Sequence, residues 1–215
     1  MLPKVAMLQK IVEGGVIAIL RQVPQEQAER LADSLVEGGV TALEVTVQTP
    51  EAFSMIQTLA KRLQGRAVVG AGTVIDGETA RLAINSGADF LFSPSLHQDV
   101  IRTALRYGKI AMPGVMTPTE MITAMEWGAD LVKVFPAATL GVSYIKDVKG
   151  PFPHIPLVPV GGIHLENVAS FIRAGAVAVG VGSNLVNRQL MERGAYDEIT
   201  RIAEQYVQAI KAARV

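Results

Sequence analysis

The chain has 215 residues, of which 49% are hydrophobic and 19% charged, with a formal net charge of zero. That length suits one compact domain with a well-buried core, and the neutral balance excludes a global field that would draw the chain to nucleic acid or anionic lipid. Cysteine is absent, which excludes a disulfide frame, a thiolate zinc site and a cysteine nucleophile.

At the start of the chain, Leu2 to Glu13 reads as an extra N-terminal helix able to plug one end of the fold. Lys4, Gln9 and Lys10 interrupt it before any signal-like apolar region develops. Nowhere does an apolar stretch reach the roughly 18 to 20 residues of a membrane span. A cytoplasmic protein with no membrane partner is the expectation.

Thereafter a glycine precedes each of eight apolar runs: Gly15 before VIAIL, Gly39 before VTALEV, Gly65 before RAVVG, Gly87 before ADFLF, Gly108 before KIAMP, Gly128 before ADLVKVF, Gly150 before PFPHIPLVPV and Gly175 before AVAVGV. The intervals are 24, 26, 22, 21, 20, 22 and 25 residues, room for a short strand, two tight loops and a helix of about three turns. Each glycine closes a segment of helical periodicity, such as AERLADSLVEGG or VIRTALRYG, where a positive φ stops a helix. Pro24, Thr49-Pro50, Asp76, Thr117-Pro118 and His164-Leu165-Glu166 mark helix starts. The runs themselves are short and continuously apolar, as parallel strands covered on both faces are. The predicted fold class is therefore α/β: a single (β/α)8 TIM barrel over residues 1–215, one domain, with the extra N-terminal helix. An open doubly wound sheet would share the alternation, but eight near-equal units favour closure.

In such a barrel the chemistry gathers at the C-terminal ends of the strands. Lys133 interrupts the apolar run LVKVFP, and period-two alternation places it with Leu131 and Phe135 on one face, Val132 and Val134 on the other. If Val132 and Val134 meet the helices, Lys133 points inward, where desolvation lowers its pKa as a Schiff-base nucleophile requires. A rim lysine that snorkels to water is the alternative. Glu44 interrupts ALEVTV in the same way, sharing a face with Ala42, Thr46 and Gln48. It could serve as the acid and base of carbonyl chemistry, or merely pair with Lys133.

Gly161-Gly162 and Gly182-Ser183 follow strands seven and eight, where backbone N–H groups commonly cradle phosphate, and a helix starting near Asn184 would add its dipole; plain small-residue packing is the alternative. GVGS lacks the third glycine of a dinucleotide fingerprint, and GxxxxGK[ST] is absent. His97, His154 and His164 show no ligand spacing, so neither a metal nor a cofactor is expected. Gly70 and Gly72 in GAGT would let a substrate approach the strand-three backbone.

With LEVTVQTP, GAGT, SP, PG, VKVFPA, GGI and GVGS in this order, essentially the whole chain resembles the 2-keto-3-deoxy-6-phosphogluconate / 4-hydroxy-2-oxoglutarate aldolase family. The resemblance implies Lys133 as the Schiff-base lysine and Glu44 as the general acid/base. It implies Thr73, Pro94 and Phe135 along the pyruvyl end, and Gly161, Gly162, Gly182 and Ser183 around the phosphate. The implied reaction cleaves a phosphorylated keto sugar acid to pyruvate and glyceraldehyde 3-phosphate, or 4-hydroxy-2-oxoglutarate to pyruvate and glyoxylate, in a homotrimer. Two positions depart from the phosphogluconate type: Gln48 stands where those members have arginine, and Val160 where they have threonine. Arg21, closing AILR, and Val160 resemble instead the phosphogalactonate branch, in which that arginine holds the substrate carboxylate. The retained LEVT motif keeps the gluconate reading first. A phosphate-binding barrel synthase or isomerase that forms no imine is the competing class.

Overall fold

The computed structural model describes residues 2–214. Helix α1 (Pro3–Gly14) opens the chain, with a proline in its first turn and Gly15 at φ 73° ending it. Strands and helices then alternate: β1 (Val16–Leu20), α2 (Gln25–Glu37), β2 (Ala42–Thr46), α3 (Ala52–Arg62), β3 (Val68–Gly72), α4 (Gly77–Asn85), β4 (Phe90–Phe92) and α5 (Gln98–Arg106). There follow β5 (Ile110–Met112), β6 (Gly114–Val115), α6 (Pro118–Glu126), β7 (Val132–Val134), α7 (Ala137–Lys149), β8 (Leu157–Pro159), α8 (Leu165–Arg173), β9 (Val179–Val181), α9 (Arg188–Glu192) and α10 (Tyr196–Ala213).

Most of the expected helix signals act at their own positions. Asp76 accepts from the Thr79 N–H, and Thr117 with Glu120 forms a reciprocal capping box. His164 caps α8, whereas α3 begins at Ala52, two residues beyond Thr49-Pro50. Seven of the eight punctuating glycines adopt positive φ. Gly150 does not: at φ −56° it stays helical, and the chain turns through the Pro151–Pro153 stretch before β8.

All strand pairs are parallel. Six strands lie in the order β5-β4-β3-β2-β1-β9 and three in the order β6-β7-β8. Only Pro113 separates β5 from β6; it lacks an N–H and divides one apolar run into two short ladders. At the other seam Val160, directly after β8, bridges Gly180 of β9 in parallel register. The result is an α/β fold around a curled parallel sheet.

Alternation sorts the strand residues into two apolar layers. Ile17, Ile19, Ala42, Val68, Phe90, Phe92, Ile110, Met112, Leu131, Val158, Val160 and Ala178 pack together inside the curl. Their neighbours in sequence, among them Ala18, Leu43, Val69, Leu91, Val132 and Val179, pack outward with the helices. Ile11 of α1 is fully buried and packs with the inner layer. Lys4 pairs with Asp130 at 2.9 Å and the Lys10 ammonium donates to the Gly65 carbonyl at 2.6 Å, which ties α1 to the rest of the fold. Helix α10 packs on both α2 and α8, and Arg214 donates to the carbonyls of Val12, Glu13 and Val177. The end of the chain is thus tied to its beginning.

Candidate active site

Lys133 is the central residue of β7, paired with Gly114 on one side and Val158 on the other. Val132 and Val134 lie in the outer layer and Leu131 in the inner one, so the strand sends Lys133 into the curl. It is 6% exposed. That burial disposes of the rim-lysine alternative. Its Nζ lies 4.2 Å from the centroid of the Phe92 ring and 5.1 Å from that of Phe135. Ion pairs within 4.0 Å engage Lys4 with Asp130 and Lys109 with Asp89, and none engages Lys133 among the described residues. Burial holds the Lys133 amine below the ordinary lysine range; the charge of Glu44 opposes that shift and Arg21 adds to it.

Glu44 reaches the same interior from β2, flanked by outward-facing Leu43 and Val45, and is 1% exposed. Its Oε1 is buried without a hydrogen-bond partner. Lys133 and Glu44 form no ion pair within 4.0 Å among the described residues, although each acts on the other's charge. Burial pushes the Glu44 carboxyl up to about 7, against the pull of Lys133 and Arg21. A carboxyl poised there both gives and takes a proton near neutrality. The Gly72 backbone makes room for it, because a Cβ at Gly72 would overlap the carboxylate. Gly72 thus serves Glu44, where the GAGT motif had suggested a direct approach of substrate to backbone. Gly70 plays the same part for the Phe90 ring.

A cavity of about 370 Å3 opens nearby, lined by Arg21, Phe135, Val160, Gly161, Gly162 and Ser183 among others. Arg21, Val160 and the glycine loops are therefore brought together. Gln48 is not: β2 ends at Thr46, whose hydroxyl lies 2.9 Å from that of Thr49, and Gln48 sits exposed in the turn. It lines a separate depression with Gln22, Pro24 and Pro50. Thr73 follows β3 at φ 60°, and the Pro94 backbone packs against Gly114. Neither lines the cavity, and neither do Lys133 and Glu44; Phe135 stands between the cavity and the Lys133 amine.

Gly161 and Gly162 both take positive φ, and the Gly162 carbonyl accepts from the Asn167 amide. After β9 the expected helix near Asn184 is replaced by a tight turn, with the N–H groups of Leu185 and Val186 donating to the Gly182 carbonyl. The reason is local: the Asn184 amide donates to the Ile163 carbonyl at 2.8 Å, tying the two loops, while Asn187 caps a helix that begins only at Arg188. Among the described residues, the N–H groups of Gly162 and Ser183 donate to no backbone carbonyl outside the regular elements, which leaves donors at the cavity wall.

His97 sits 2.8 Å from the Ser95 hydroxyl and His164 pairs with Glu166. Among the described residues no group of three or more His, Asp or Glu is placed to hold a metal ion, and no helix is long and apolar enough to cross a membrane. Two side chains near the site were not singled out from sequence. Phe92 shares the inner face of β4 with Phe90, so the alternation that flagged Lys133 could have flagged it. Arg188 lines the cavity from α9, and nothing in its local pattern points there.

The family described as KDPG and KHG aldolase matches residues 7–202. The chain belongs to that family. It is an aldolase, an aldehyde-lyase. It is 34% identical over 199 residues to the 2-dehydro-3-deoxy-6-phosphogalactonate aldolase of Escherichia coli (strain K12), covering 92% of this chain and 94% of that one. The KHG/KDPG aldolase of the same organism is also 34% identical over 199 residues, covering 92% and 93%. A solved KDPG aldolase from Legionella pneumophila, with pyruvate captured as a covalent carbinolamine intermediate, superposes with a TM-score of 0.85 at 28% identity, covering 92% of this chain and 96% of that one.

Proposed function

We propose that this chain is a class I aldolase that cleaves 2-keto-3-deoxy-6-phosphogluconate to pyruvate and glyceraldehyde 3-phosphate, and 4-hydroxy-2-oxoglutarate to pyruvate and glyoxylate. One observation carries the reading: an amine and a carboxyl, Lys133 and Glu44, are both buried on the inner face with their pKa values driven toward neutrality. The Val160–Gly180 bridge and the shared inner layer support taking the curled sheet as a closed (β/α)8 barrel with these groups toward its C-terminal mouth.

In this mechanism the Lys133 Nζ adds to the keto carbon of the substrate. Glu44 delivers a proton to the resulting hydroxyl, water leaves, and a cationic iminium remains. Glu44 then takes the proton of the C4 hydroxyl, the C3–C4 bond breaks, and its electron pair flows into the iminium to give an enamine. The aldehyde departs, the enamine is protonated at C3, and hydrolysis frees pyruvate and Lys133. Phe135 covers the pyruvyl end with Thr73 and Pro94 close to the strand ends, and the N–H groups at Gly161, Gly162, Gly182 and Ser183 receive the phosphate. The enzyme works in the cytoplasm without metal or cofactor, as a homotrimer. The exposed Ile75, Leu82, Tyr107 and Met116 provide apolar surface for that assembly.

A specific observation favours a second substrate, the C4 epimer 2-keto-3-deoxy-6-phosphogalactonate. Equal identity to both Escherichia coli relatives does not separate the epimers, but Arg21 and the methyl-bearing Val160 wall the cavity while Gln48 lies outside it. Turnover of the two phosphorylated epimers and the unphosphorylated keto acid, measured side by side, tests both readings. Cleavage of none of the three, with no borohydride-trapped pyruvate adduct on Lys133, would leave the imine-free synthase or isomerase class standing instead.

The anchor for the substrate carboxylate follows from the same geometry. A guanidinium offers a carboxylate two parallel donors that an ammonium cannot reproduce. Arg21→Lys is expected to raise KM for pyruvate-type acids about 10-fold, the scale of one charge-assisted bond, and Gln48→Ala to change it less than about 2-fold. If Gln48→Ala does the greater damage to kcat/KM, the anchor is misassigned.

A further inference from the structure

Two aromatic rings stand close to the Lys133 amine. Phe92 is fully buried at the end of β4, and the Nζ stands over its face at 4.2 Å, closer than over Phe135. The Phe92 ring is held in turn by Phe90, edge to face with centroids 6.4 Å apart, and Phe90 occupies the space that Gly70 leaves open. Among the described residues no ion pair within 4.0 Å engages the Nζ, and the π-face of Phe92 is an electron-rich surface that the structure sets against it. A ring face attracts a cation by its quadrupole, and does so most strongly where water is excluded.

We infer that Phe92 is a further catalytic group of the Schiff-base reaction, whose ring face stabilises the positive charge on the lysine nitrogen in the iminium. The inference rests on Lys133 forming that imine. It assigns Phe92 a charge-bearing role beyond packing. The neutral amine that attacks, the carbinolamine and the enamine gain nothing from the ring; the ammonium and the iminium both gain. Forming the iminium from the neutral amine consumes one proton and releases one water, so it creates a cation at the ring face. Forming it from the ammonium exchanges one cation for another, and the ring contributes little to that balance. The charged groups that also act on Lys133 are Glu44 on β2 and Arg21 beyond β1, and both remain when Phe92 is altered.

The experiment follows the pyruvate iminium on the whole enzyme by cyanoborohydride trapping and mass measurement across pH. It compares the wild type with Phe92→Leu and with ring-trifluorinated phenylalanine at position 92, which keeps the shape and removes the quadrupole. On the alkaline side of the Lys133 titration, where the free amine is neutral, the iminium formation constant should fall about 3- to 30-fold in both variants. On the acid side it should stay within about 2-fold of wild type, because the two cations cancel. The midpoint itself should move to lower pH by about half a unit to one and a half units. A loss equal at every pH, or a fluorinated enzyme that matches wild type while Phe92→Leu is impaired, reduces Phe92 to packing and overturns the inference. A wild-type enzyme that traps no pyruvate at Lys133 overturns the imine reading and this inference with it. A wild type that traps normally isolates any failure to Phe92 alone.

Discussion

Lys133→Met is expected to abolish both turnover and borohydride trapping of pyruvate while the fold persists. Lys133 is the lysine buried in the inner layer, and its removal takes away the nucleophile rather than weakening it. Methionine matches the length of the buried stem and packs among the inner-layer residues. The stability sign also favours a folded variant. The folded-state pKa of Lys133 lies below its ordinary value, so the fold disfavours the ammonium, and that cost grows as pH falls through the lowered value. Methionine carries no such cost, and thermal unfolding at neutral pH should show the variant at least as stable as wild type. Turnover within about 10-fold of wild type in a folded Lys133→Met protein is incompatible with an imine at this residue.

Glu44→Gln is expected to lower kcat by about 100-fold or more, the ordinary loss on removing a general acid and base. An amide neither delivers the proton that expels the carbinolamine hydroxyl nor takes the proton of the C4 hydroxyl. A second readout is independent of catalysis. Burial raises the Glu44 carboxyl from 4.5 to about 7, so its contribution to stability is present at acid pH and is lost as pH rises through that window. For this carboxyl raised to about 7, the loss is on the order of 3 to 4 kcal/mol, at about 1.4 kcal/mol for each pH unit of displacement. The wild type should lose stability between about pH 4.5 and 7 relative to Glu44→Gln, and denaturant unfolding at pH 5 and pH 8 reads the difference. A gap between the two proteins that is the same at both pH values means the carboxyl titrates normally and is not desolvated as the geometry requires.

Features that depend on local repetition were legible in the amino-acid sequence. A strand has a period of two, so the alternation of LVKVFP and ALEVTV was enough to assign Lys133 and Glu44 to the face opposite their valine and leucine neighbours. Glycine spacing and capping residues located the units for the same reason: a helix stop or an N-cap is a matter of a few consecutive dihedrals. Features that depend on where separate units meet emerged only from the folded chain. One local device also escaped the alternation: Gln48 continues the Glu44 face only while the chain stays extended, and the Thr46–Thr49 contact, three residues apart, ends β2 before it. Asn184 has the local pattern of a helix start, yet its amide is bonded across to Ile163. Gly72 and Phe92 show the same limit, since one makes room for a carboxylate from β2 and the other places a ring beneath an amine from β7. Those contacts join residues dozens of positions apart, and their distances are set by the register and curl of the sheet, which no single strand's pattern encodes.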